Sequence, residues 1–151
     1  MRFEQTRDVL DHVGSYHDQA SRLYRELKDQ ASNQRVAMLL DYMARHEGNL
    51  ARSIASFKER SAKAVLDSWF KYTHDEDILL PIRAVNRSSD LSFDAVLELA
   101  LKLDEKLLEL YQEMADRARS SAARDIFNNL LLREMEEKQK LMHAALGLMD
   151  L

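Results

Sequence analysis

Apolar residues recur at steps of three and four along four stretches of the chain, the spacing that places them on one face of an α-helix. The pattern predicts four helices, with approximate bounds 5–30, 34–62, 92–118 and 121–149. Ser32 and Asn33 separate the first two helices and provide N-cap chemistry, and Ser120 and Ser121 form the second such turn. Connections this short between helices this long favour antiparallel neighbours.

Polar side chains interrupt each predicted apolar face. The interruptions are His17 in the first helix, His46 in the second, Asp104 in the third, and Glu134 and Glu137 in the fourth. A bare carboxylate in a core is costly or takes up a proton, so the sequence should supply partners at the same depth. We therefore expect these five side chains to converge near the middle of the protein.

The two halves of the chain repeat each other. LYRELKDQA at 23–31 precedes the similar LYQEMADRA at 110–118 by 87 positions, and the same offset places His17 opposite Asp104. Later in each half the offset becomes 91, which places Met43 opposite Glu134 and His46 opposite Glu137. Each half is therefore predicted to be a helical hairpin, and two stacked hairpins give an all-α four-helix bundle.

The segment 63–91 breaks the helical pattern. It contains the only proline and a cluster of turn-forming residues, and AKAVLDSWFKY within it could hold a short helix. We expect a long crossover that joins a hairpin of about 5–62 to a hairpin of about 92–149. At 151 residues, of which 46% are hydrophobic, the chain suits a single domain over 1–151.

Composition excludes several classes of function. The formal charge of −4 comes from 22 basic and 26 acidic residues without a basic block, which argues against a nucleic-acid partner. The chain has 0 cysteines, so disulfides and thiolate metal sites are excluded. No apolar run is long enough to span a membrane, and the charged start does not resemble a signal peptide. We expect a cytoplasmic protein without a membrane partner.

The repeated hairpins resemble the ferritin-like superfamily, and the segments LYQEMADRA and FNNLLLREMEEKQKL are most similar to rubrerythrin-type domains. The resemblance rests on the long crossover and on a polar residue seven positions before the tyrosine of a Leu-Tyr pair, followed in the next helix by a Glu-x-x-His position. It covers the chain apart from the crossover. It implies a ferritin-like bundle in which four carboxylates and two histidines hold two irons.

This sequence departs from that pattern at four of its six ligand positions. His17 and Asp104 stand where the pattern has Glu, Met43 removes the bridging carboxylate, and Glu137 stands in for His. Only His46 and Glu134 are the expected residues. The resemblance therefore implies a degenerate diiron site.

Two interpretations of the polar residues remain open. In the first, His17, His46 and Glu134 form a site suited to iron, zinc or manganese, while Asp104, Glu134 and Glu137 offer a second site rich in oxygen ligands. In the second, protonated histidines pair with the carboxylates in a metal-free network that fixes the register of the helices.

The function expected from these residues is that of a small rubrerythrin-related protein. It would either be metal-free, with a structural or binding role, or hold a single iron, manganese or zinc ion. The alternative is a non-haem iron or manganese oxidoreductase acting on oxygen or peroxide, with His17, His46 and Glu134 as ligands. We expect a homodimer, and the sequence indicates no particular redox partner.

Overall fold

The computed structural model describes residues 2–72 and 77–150. In chain order the elements are β1 (Arg2–Gln5), α1 (Thr6–Gln30), α2 (Gln34–Arg60), α3 (Lys63–Leu66), β2 (Trp69–Tyr72), α4 (Leu80–Arg83), α5 (Phe93–Arg117) and α6 (Ser121–Met149). The four long helices are those that the apolar periodicity predicts.

Side-chain caps begin three of the long helices. The Asn33 side chain accepts hydrogen bonds from the amides of the second and third residues after it, at 2.8 and 3.3 Å. Ser92 and Ser120 each accept one from the amide three residues on, at 3.2 and 3.1 Å. These bonds satisfy amides that have no partner within the helix, which is why the helices begin at these positions.

The long helices form two hairpins, α1 with α2 and α5 with α6, which pack against each other around a common core. The largest fully buried side chains include Tyr16, Tyr24, Phe70, Tyr111 and Phe127. The prediction of an all-α bundle of two hairpins is confirmed. No helix in the described ranges is both long and apolar enough to cross a membrane.

The described part of the crossover, 63–72 and 77–91, contains more secondary structure than the sequence predicts. Only α3 is helical within AKAVLDSWFKY, and β2 pairs antiparallel with β1, with Gln5 opposite Trp69. The Thr6 amide continues this contact by donating to the Ser68 carbonyl at 2.9 Å. Phe70 packs edge-on against Phe127 with ring centroids 5.5 Å apart, so the short ladder holds the crossover against one end of the bundle.

Candidate functional site

The five predicted site residues divide into a buried group and a pair at its edge. His17, Asp104 and Glu134 are buried, with 1%, 7% and 4% of their surface exposed. The side chains of His46 and Glu137 are 20% and 12% exposed. The structure therefore brings three of the five into the core and leaves two partly open to solvent.

In the first hairpin, His17 is paired with an acid. Its Nδ1 atom lies 2.5 Å from Oε2 of Glu47, so the ring N–H of α1 donates to a carboxylate of α2. Glu47 is itself only 6% exposed. A buried carboxylate with a close N–H donor is satisfied, and the contact also ties the two helices together.

Glu47 was missed by the sequence analysis, although its spacing gave a signal. The second helix carries two overlapping stripes with steps of three and four, and the predicted face is the stripe that contains His46. The other is equally regular and consists of Val36, Leu40, Met43, Glu47, Leu50 and Ile54, all of them buried. Glu47 directly follows His46, and each residue continues a regular stripe. Spacing alone therefore makes Glu47 as good a candidate for the polar centre as His46.

In the second hairpin, two acids face each other. The side chains of Asp104 on α5 and Glu134 on α6 are hydrogen-bonded. Burial, followed by the nearby charge of Glu47, raises the pKa of Asp104 to about 7, while the bond to Glu134 and the charge of His17 act in the opposite direction. Burial, with Asp104 and Glu47 next, raises the pKa of Glu134 well above its usual value.

This pair can keep a proton at neutral pH. A hydrogen bond between two carboxyl groups requires that one of them be protonated, because two carboxylates offer only acceptors. Like charges brought together in a poorly solvated place also favour the neutral form of one partner. The arrangement of Asp104 and Glu134 therefore stores a shared proton inside the bundle.

Three buried tyrosines surround the polar centre. Tyr16 donates its hydroxyl to the Leu103 carbonyl at 2.8 Å and so joins α1 to α5. Burial above all raises the pKa of Tyr16, Tyr24 and Tyr111, and the neighbouring acids raise it further. Among the described residues, no buried side-chain nitrogen or oxygen is left without a hydrogen-bond partner. The tyrosines are thus neutral, satisfied core residues.

At the edge of this centre, His46 pairs with Glu137. The Nε2 atom of His46 lies 3.2 Å from Oε2 of Glu137, and the imidazole stacks on Tyr42 with ring centroids 5.8 Å apart. Glu137 also lies 3.4 Å from Nζ of Lys140. This pair links α2 to α6. The negative charge of Glu137 is one of the causes that raise the pKa of Glu134.

The side chains as placed do not fit a diiron centre. Within the described parts of the chain, no group of three or more histidine, aspartate or glutamate residues is arranged to hold a metal ion. The buried thioether of Met43 stands where the family pattern needs a bridging carboxylate. A paired-metal site depends on that bridge and on open coordination positions.

Comparison with known proteins identifies the architecture. The rubrerythrin family model matches residues 17–145. A solved structure from Thermotoga maritima, described as a ferritin-like diiron-carboxylate protein, superposes with a TM-score of 0.63 at 21% identity, covering 96% of this chain and 97% of that one. No curated protein matches the chain. The predicted ferritin-like fold is confirmed, and at this identity the structural likeness concerns the fold alone.

Proposed function

Since the chain belongs to the rubrerythrin family, we propose that it is a member whose diiron centre has been replaced by a metal-free polar network, and whose role is structural or binding. The network consists of His17 with Glu47, Asp104 with Glu134, and His46 with Glu137. It keeps the four long helices in register. We further propose that the protein is cytoplasmic and has no nucleic-acid partner.

The observation that carries the proposal is that each side chain of a metal-ligating type in this network has a close partner of the same kind within the chain. His17 is 2.5 Å from Glu47, His46 is 3.2 Å from Glu137, and Asp104 is bonded to Glu134. A metal ion that took both Asp104 and Glu134 as carboxylate ligands would have to replace the proton that their hydrogen bond requires. Buried polar groups that are fully satisfied specify one arrangement of a core, whereas half-satisfied groups destabilise it.

A single-metal oxidoreductase is the second candidate, and one observation favours it. Three carboxylates, Glu47, Asp104 and Glu134, lie in the core beside one imidazole. Their mutual repulsion can be relieved by protons or by a divalent cation, since either removes the excess negative charge. In this candidate His17, Asp104 and Glu134 would hold iron or manganese, and the reaction would involve oxygen or peroxide.

Metal loading separates the two candidates. Chelator-treated protein is incubated without oxygen with Fe(II), Mn(II) or Zn(II), desalted, and analysed for metal per chain. The variant is Glu134→Gln, which keeps the shape of the buried side chain. The matched control is Asp125→Asn, an exposed acid of the same helix. We expect metal well below one ion per chain in all three proteins.

Thermal unfolding with and without each metal gives a second readout. A ligand that binds only the folded state at 100 times its dissociation constant stabilises that state by about 2.7 kcal/mol, so a resident ion would raise the midpoint visibly. One ion per chain in the native protein and the control, absent from Glu134→Gln, would overturn the metal-free proposal. Oxygen and peroxide consumption would then test the oxidoreductase.

A further inference from the structure

Helix α6 carries a second apolar stripe on its outer side. The stripe is separate from the buried face of the helix, which contains Phe127, Leu130 and Leu141. Four of its members are large apolar side chains with 49% to 59% of their surface exposed. In chain order the stripe consists of Leu132, Met135, Gln139, Met142, Leu146 and Met149, which alternate at steps of three and four.

That strict alternation is the seam pattern of a coiled coil. A helix that only covers a core has a broader apolar face, whereas a seam of alternating threes and fours fits a single neighbouring helix. A groove of about 490 Å³ is lined by four members of the stripe, Met135, Gln139, Met142 and Leu146. A second groove of about 740 Å³, between α5 and α6, adjoins it at Leu108 and Met135. The outer face of α6 therefore has both the pattern and the shape to receive a helix.

We propose that α6 of a second copy of this chain, running antiparallel, occupies the stripe and forms a two-fold symmetric dimer. A two-fold interface must be self-complementary, because the same residues contribute from both sides. The stripe meets this requirement when the symmetry axis passes between Lys140 and Leu141. The proposal does not depend on what the polar centre of the bundle contains.

In this register, apolar residues of the stripe oppose apolar residues. Leu132 lies opposite the partner's Met149, and Met135 lies opposite the partner's Leu146. Gln139, the one polar member, lies opposite the partner's Met142 near the axis. A single polar residue at such a position weakens a seam slightly but fixes its register.

Charges beside the stripe favour the antiparallel direction. Along this flank Glu136 meets the partner's His143, so an acidic side chain faces a basic one. A parallel arrangement would place His143 beside the partner's Lys138, which brings two basic side chains together. Opposite charges flanking a seam set the orientation of the helices.

A basic partner from another protein is the rival occupant, since α5 presents a row of acids along the groove. Three of these acids have basic partners within the chain: Glu105 lies 3.7 Å from Lys138, Glu109 lies 3.8 Å from Lys106, and Glu113 lies 3.3 Å from Arg117. The fourth, Asp116, accepts a hydrogen bond from the side chain of Gln112 at 3.0 Å. Most of the negative charge along the groove is therefore paired within the chain. The groove therefore needs no basic helix for charge balance. A second copy of the chain explains the alternating apolar stripe, whereas a basic partner does not.

The first test is the oligomeric state, measured by sedimentation over a range of concentrations. We expect a dimer for the native chain. Leu146→Glu places two charges in the seam of each dimer and should raise the dissociation constant by about 100-fold. Met38→Glu is the matched control, because Met38 is 42% exposed on α2, outside the stripe. Circular dichroism verifies that both variants remain folded, as exposed positions should allow.

The second test is the direction of pairing, measured by disulfide cross-linking. The native chain has 0 cysteines, so introduced thiols report only on the interface. An equimolar mixture of Leu132→Cys and Met149→Cys should cross-link as a heterodimer, whereas Leu132→Cys alone should not. A parallel seam gives the reverse result. A monomeric native chain, a Leu146→Glu variant as dimeric as the native chain, or cross-linking of Leu132→Cys with itself would each overturn the proposal.

Discussion

The two hairpins have the same architecture but carry side chains of different size where their helices meet. In the first, Ser21 and Ala44 are both buried, and the Ser21 hydroxyl donates to the Ala44 carbonyl at 2.7 Å. The repeat places Leu108 and Met135 at the equivalent positions of the second. The backbones of α1 and α2 run closer together than those of α5 and α6.

This difference shows how side-chain size at a helix contact decides whether a hairpin is closed or open. Small residues let a hydroxyl of one helix reach the backbone of the next, and little surface is left between the helices. Larger residues hold the helices apart, and in the second hairpin they line the groove between α5 and α6. The same fold thus contains one closely packed hairpin and one hairpin with an exposed apolar groove between its helices.

The hairpins also differ in their central pairs. His17 with Glu47 is a base with an acid, whereas Asp104 with Glu134 is an acid with an acid. The second pair keeps its hydrogen bond only while it holds a proton, so this contact within the second hairpin depends on pH.

The largest effect is expected when the closely packed first hairpin receives the residue found at the equivalent position of the second. Ala44→Met adds a long side chain where the structure has room for a methyl group, and we expect a loss of about 3 kcal/mol in the free energy of unfolding. Urea denaturation measures it. Met135→Ala, the reverse change at the equivalent position, should cost less than about 1 kcal/mol because Met135 is 49% exposed. Equal losses would contradict the contrast.

An intermediate effect is expected from removing the acid-acid pairing. At pH 8, above the pKa of about 7 of Asp104, the variant Asp104→Asn should raise the free energy of unfolding by about 2 kcal/mol, because its amide donates to Glu134 without needing a proton. Urea denaturation at pH 5 and pH 8 checks this, with Asp125→Asn as the exposed control. A variant that is less stable than the native chain at pH 8 would count against a shared proton.

The smallest effect is expected at the edge of the centre. Glu137→Gln removes a charge from the pair with His46 but leaves a group that can still accept a hydrogen bond. Because this pair is partly exposed, the loss should be about 0.5 kcal/mol. The measurement is again urea denaturation. A loss as large as that of Ala44→Met would mean that the edge pair belongs to the buried centre.

The helices of this fold could be predicted because each long helix carries an apolar face with regular spacing and a capping residue such as Asn33 or Ser92. The ladder between β1 and β2 could not. Its strands have four residues each, too few for alternation to stand out, and the pairing joins segments that are far apart in the chain. The sequence shows the aromatic residues of WFKY but not the strand they meet.

The centre was predictable in position but not in pairing. Periodicity placed His17, Asp104 and Glu134 in the core, where they lie. It could not choose between His46 and Glu47, because both continue a regular stripe of the same helix. Only the rotation of α2 against its neighbours decides which one faces inward, and that rotation depends on the packing of all four helices.

The central claim, that the second hairpin holds a proton and not a metal, is tested most directly by the free energy of unfolding as a function of pH with a chelator present. The pKa of Asp104 is about 7 in the folded protein, against 3.8 ordinarily. Between these values the folded state keeps a proton that the unfolded state has released, so stability should fall as pH rises from about 4 to about 7. The fall should be smaller in Asp104→Asn. Stability that is flat or rises through this window in the native chain would contradict the account.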